Sequence, residues 1–120
     1  MLSEKNCSAC RGDSPLLSQQ ELELALNELS GWTIEPVAGV NQLAQTFQFK
    51  NFVQAMAFTQ AVGALAEEYR HHPALLTEWG KVKVSWWTHK LKGLHENDAI
   101  MAAKTGQLFN ARFATDLKRE

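Results

Sequence analysis

Residues 66–89 read AEEYRHHPALLTEWGKVKVSWWTH, and this stretch decides the fold. Pro73 has no amide hydrogen, cannot continue a helix, and drives His72 toward extended backbone, so a helix arriving from the left ends at or near His71-His72. Beyond the proline, Leu75 to Trp79, a Gly80-Lys81 turn, and then Val82, Val84 and Trp86 alternate apolar and polar positions, the pattern of a β-hairpin with one buried face. The segment therefore predicts helix, hairpin, and a junction between them that carries two adjacent imidazoles.

Working outward toward the N-terminus, Asn51 can cap the incoming helix. Phe52, Ala55, Phe58 or Thr59, Val62, Leu65 and Tyr69 recur along it every three to four residues, an apolar stripe suited to lying across a sheet. Before it, Trp32 and Ile34, a turn over Pro36 to Gly39, and Leu43, Gln45, Phe47 and Phe49 read as another hairpin with one oily face. Ser18 with Glu21 forms a capping box ahead of Leu22, Leu26 and Leu29, a short amphipathic helix that ends at Ser30-Gly31. Toward the C-terminus, helical spacing returns with Ile100, Met101, Ala103, Leu108 and Phe113, although Gly106 weakens the last turns. The order α-β-β-α-β-β-α implies an α+β domain: a four-stranded antiparallel sheet with three helices packed on one face.

The 120 residues suffice for one core, and with 45% apolar and 21% charged residues the composition is that of an ordinary globular domain. We expect a mobile polar leader over residues 1–17 and a single domain over 18–120. The formal net charge is -1, and Lys and Arg form no stripe, which argues against direct nucleic-acid binding. No apolar run is long enough to span a bilayer and the start has no secretory apolar block, so a cytoplasmic location without membrane contact is expected. Cys7 and Cys10 form a Cys-x-x-Cys pair in the leader. Nothing completes a four-ligand zinc set and no strand precedes the pair, so free reduced thiols are the simpler reading beside a metal or redox role.

Three of the four histidines flank the hairpin quoted above, His71 and His72 at its entry and His89 at its exit. Antiparallel strands return to where they began, so these imidazoles can be neighbours. Glu67 stands four residues before His71 and Glu68 four before His72, the spacing at which a helix lets each carboxylate face its imidazole. A carboxylate partner orients the ring and favours its charged form, as a general acid requires. Each residue also has a structural reading. A histidine ending a helix complements the helix dipole, and His89 can be an exposed strand end. Asp98 can close a capping box at the start of the last helix as well as serve a site. Trp79, Trp86 and Trp87 can wall a flat ligand or fill a core, and Trp87 shares strand parity with His89. Zinc held by three histidines is disfavoured because adjacent side chains diverge, so neither metal nor cofactor is expected.

His71-His72-Pro73, Trp79, His89 and Asp98, in this spacing, resemble the signature of the pterin-4a-carbinolamine dehydratases. The likeness extends to Gly31-Trp32, Phe47-x-Phe49, Ala66-Glu67, Thr88-His89 and Gly93-Leu94, and covers roughly residues 18 to 113. It implies a hydro-lyase that dehydrates 4a-hydroxy-tetrahydropterin to quinonoid dihydropterin and so recycles the pterin of an aromatic amino acid hydroxylase. By the same likeness, His71 and His89 are candidates for the general acid and His72 for holding the pterin or exchanging the second proton. Glu67 would orient His71, Asp98 would lie at the pocket's edge, and Trp87 would flank the ring. The family forms homodimers and homotetramers, and its animal members also serve as dimerisation partners of a transcription factor. An adaptor role and a same-fold enzyme acting on a molybdopterin-type pterin are the alternatives. One departure is His95, where many members have Thr or Ser, which are better helix caps by a few tenths to about 1 kcal/mol.

Overall fold

A computed structural model describes residues 16–89 and 92–113. Cys7, Cys10 and the charged tail from Asp116 lie outside the described residues. The elements are α1 (Gln19–Glu28), β1 (Thr33–Val37), β2 (Val40–Gln48), α2 (Phe52–Tyr69), β3 (Ala74–Glu78), β4 (Lys81–Trp86) and α3 (Glu96–Arg112). This is the expected α-β-β-α-β-β-α order. The sheet runs β1-β2-β4-β3, with every neighbouring pair antiparallel. Each hairpin thus contributes one central and one edge strand, and α2 is the crossover between them.

Strand alternation puts Leu43 and Phe47 of β2 and Val82, Val84 and Trp86 of β4 on the helix-covered face, all buried. Against them pack Ala55, Phe58, Val62 and Ala66 of α2 and Ile100, Met101 and Ala102 of α3. Phe58 is the hub of an aromatic cluster, its ring centroid 4.9 to 5.8 Å from those of Phe47, Phe49, Phe109 and Phe113. Such ring pairs add to the area term that burial already supplies. Phe52, assigned to the α2 stripe by periodicity, is instead exposed. It is the first helical residue, and the buried stripe begins one turn later at Ala55.

Three local details differ from the sequence expectation. Pro36 lies within β1, not in the turn, and pairs with Asn41. β1 is an edge strand, where a missing amide hydrogen need not break the ladder. The turn is Ala38-Gly39, both at positive φ (53° and 82°), the geometry a two-residue hairpin needs. In the second hairpin the turn is Trp79-Gly80, one residue earlier than expected. A Cβ at Gly80 would sit 3.1 Å from the Phe49 carbonyl oxygen, and the Gly80 carbonyl accepts the Phe49 amide at 2.8 Å, so two backbones meet there. Finally, Leu17 falls in the leader by sequence, yet its amide donates to the Leu94 carbonyl at 2.8 Å.

His95 caps α3 despite being an uncommon residue for the task. Its Nδ1 accepts the Asn97 amide at 3.0 Å, and Asp98 returns a bond to the His95 amide, closing a capping box. The deficit expected of His95 as a cap is thus offset by an imidazole nitrogen standing in for a hydroxyl oxygen.

Candidate active site at the mouth of the second hairpin

The end of α2 sets the site. Arg70 adopts the left-handed conformation (φ 54°, ψ 40°), and the Arg70 and His71 amides bond back to the Glu67 and Ala66 carbonyls at 3.3 and 3.1 Å. This is the reverse turn with which helices commonly stop, built here on a residue with a Cβ rather than on glycine. It takes His71 and His72 off the helical lattice. His71 swings inward and becomes 7% exposed, whereas the side chain of His72 stays outside at 60%.

The carboxylate partners consequently differ from those that helical spacing predicts. Glu67 does not orient His71; its Oε2 lies 2.6 Å from Nε2 of His72. His71 Nε2 meets Asp98 Oδ1 at 2.6 Å instead. Asp98 is 0% exposed, well inside the molecule rather than at a pocket's edge. Its second oxygen, Oδ2, takes the Thr88 hydroxyl at 2.7 Å and the His95 amide at 2.9 Å. One carboxylate thus closes the α3 capping box and also holds His71.

His71 also lies parallel to Trp86, with ring centroids 5.8 Å apart and planes 5° apart. Trp86 is in turn pinned by its Nε1–H, which donates to Thr105 Oγ1 at 3.1 Å. Trp79, considered above as a wall of the site, sits at the opposite end of the hairpin and is 71% exposed.

Past β4 the chain alternates once more. Thr88 turns inward to Asp98 while Trp87 and His89 face outward, stacked with centroids 4.4 Å and planes 25° apart. His89 Nε2 donates to the His72 carbonyl at 3.3 Å, which brings the third imidazole against the main chain of His72. The groups straddle the end of the sheet: His71, Trp86, Thr88 and Asp98 on the inner side, His72, His89, Trp87 and Glu67 on the outer. Each ring gives its Nε2 to an acceptor, a carboxylate twice and a carbonyl once, so hydrogen belongs on Nε2 and Nδ1 is the nitrogen left for exchange. Among the described residues, no hydrogen-bond partner meets Nδ1 of these three rings, and no three His, Cys, Asp or Glu side chains converge as a metal would require.

A groove of about 330 Å³ lies elsewhere, between the C-terminal halves of α2 and α3, and Leu65, Glu68, Tyr69 and Lys104 line it without any histidine. Among the described residues no helix is long and apolar enough to cross a membrane.

Comparison with known proteins finds relatives by sequence and by fold. The family model described as pterin 4 alpha carbinolamine dehydratase matches residues 15–108. A protein of Saccharophagus degradans named "Putative pterin-4-alpha-carbinolamine dehydratase" is 53% identical over 108 residues, covering 90% of this chain and 96% of its own length. Among solved structures, a "transcriptional coactivator/pterin dehydratase" from Brucella melitensis superposes with a TM-score of 0.70 at 32% identity, covering 78% of this chain and 98% of that one. A pterin dehydratase-like protein described as a RuBisCO assembly factor in the alpha-carboxysome shares the fold at a TM-score of 0.56, with 24% identity over 68% of this chain and 92% of its own.

Proposed function

This chain belongs to the pterin-4-alpha-carbinolamine dehydratase family, and from that premise we propose that it removes water from a 4a-hydroxy-tetrahydropterin by general acid/base exchange at His71, His72 and His89. The observation that supports the reading is that all three residues lie at the mouth of one hairpin, His89 against the His72 carbonyl, with each ring bonded through Nε2. Dehydration needs a proton delivered to the 4a oxygen as its bond to carbon breaks. It also needs a proton taken from the ring nitrogen whose lone pair forms the new double bond; the products are quinonoid dihydropterin and water. Two or more imidazoles presenting Nδ1 to one flat heterocycle supply both exchanges without metal or cofactor.

Within the trio, His71 and His89 act as general acid candidates and His72 binds the pterin or takes the second proton. Asp98 and Glu67 position His71 and His72 respectively, and Trp87, already stacked on His89, offers an aromatic face to the substrate. The product is reduced and returned to an aromatic amino acid hydroxylase, in the cytoplasm. The outer edges of β1 and β3, unpaired among the described residues, support self-association into a homodimer or homotetramer.

The test is the dehydration rate of 4a-hydroxy-tetrahydropterin with and without purified protein, no metal added. Acceleration is expected, with His71→Ala and His89→Ala each lowering it roughly 100-fold or more while circular dichroism stays unchanged. Wild-type rates in both variants would remove the histidines from the mechanism. A second reading, an adaptor for a transcription regulator, is favoured by one observation only, the likeness to the Brucella melitensis protein described as a transcriptional coactivator. Affinity capture that returns no stable protein partner counts against it.

A further inference from the structure

The hydrogen bond from Thr88 to Asp98 reaches His71 through a carboxylate that has no contact with water. Oδ2 of Asp98 is filled by the Thr88 hydroxyl at 2.7 Å and the His95 amide at 2.9 Å, which leaves Oδ1 to face His71 Nε2 at 2.6 Å. Thr88 is itself buried and fixed, its amide donating to the Gly93 carbonyl at 2.8 Å in an isolated bridge between the two residues. Of the two donors at Oδ2, the amide belongs to the main chain and comes with the helix cap. The hydroxyl is the separable one, and it gives Oδ2 its second bond beside that amide. A carboxylate so held cannot turn without leaving a buried donor unpaired.

We infer that Thr88 is a positioning residue for the proposed dehydration: acting through Asp98, it keeps the imidazole hydrogen of His71 on Nε2 and so presents Nδ1 to the substrate. The inference rests on the acid/base role of His71 proposed above, and Thr88 itself exchanges no proton. Partners that orient an imidazole in this way change rates roughly 10-fold to 100-fold when removed.

The experiment compares wild type, Thr88→Val and Thr88→Ser by dehydratase kinetics and by nitrogen-15 NMR of the histidine rings. Expected for Thr88→Val is a fall in kcat of about tenfold with KM little changed, together with the appearance of the Nδ1–H tautomer of His71 or rapid loss of its Nε2-bound proton. Thr88→Ser restores both readouts. Wild-type kcat and wild-type ring signals in Thr88→Val overturn the inference. Should the valine variant not fold, Thr88→Ser and Thr88→Ala differ by the hydroxyl alone and make the same comparison. A wild-type protein without dehydratase activity defeats the proposed function instead, and the ring signals then decide separately whether Thr88 governs His71.

Discussion

Glu67 Oε2 lies 2.6 Å from His72 Nε2, while His71, the residue at the helical i+4 position, gives its own Nε2 to Asp98 at the same distance. Arg70 is the cause. Its left-handed backbone reverses the chain one residue before His71, so Glu67 meets the next imidazole along and His71 is handed to a carboxylate on α3. The two pairs then differ in kind, one in water and one inside.

Glu67 and His72 expose 76% and 60% of their side chains, so the pair contributes little to stability. Glu67→Gln is expected to change the unfolding free energy by less than about 1 kcal/mol, measured by urea titration. Its effect belongs in the dehydration rate, where a loss of only a few-fold is expected because the exposed imidazole can find water as a substitute partner.

Asp98→Ala should behave in the opposite way. It strands an imidazole, a hydroxyl and a helix-cap amide in a buried setting, with an expected loss of about 3 to 5 kcal/mol. Urea unfolding monitored by tryptophan fluorescence measures it. A loss under about 1 kcal/mol would mean that the three donors find other acceptors.

Arg70→Gly should stabilise the fold. A residue with a Cβ in the left-handed region carries roughly 1 kcal/mol of strain that glycine lacks, and Arg70 sits at φ 54°. The expected outcome is a higher urea midpoint with an unchanged slope. Glycine's larger unfolded-state entropy opposes the gain, so a lower midpoint would show that this entropy outweighs the relief.

Phe58→Ala tests the core independently of the site. The ring is fully buried among four other aromatic rings, and its removal is expected to cost about 3 to 5 kcal/mol, read from the same urea titration.

Much of this architecture is legible in the sequence because it rests on local rules. Periodicity located all seven elements, Ser18 and Glu21 announced the first helix, and a hairpin's geometry was enough to bring His89 back to His71-His72. Hairpin geometry also implies that Trp79, at the tip, lies far from residues at the mouth. What stayed hidden depends on a backbone conformation or on packing at a distance. Nothing in the residue type of Arg70 marks a left-handed stop, which glycine or asparagine would signal, so helical spacing points Glu67 at His71 and not at His72. The bond from Asp98 to His71 spans 27 positions and exists only once α3 packs beside β4. Thr88 carried one available cue: its parity places it on the Trp86 face, toward the helices, while Trp87 and His89 point away.

Because Asp98 both starts α3 and grips His71, fraying of that helix's first turn and disarray of the inner imidazole are a single event. With His71 in its proposed role, heating that loosens this turn is expected to silence turnover while the sheet and the aromatic cluster remain intact, so inactivation should run ahead of global melting.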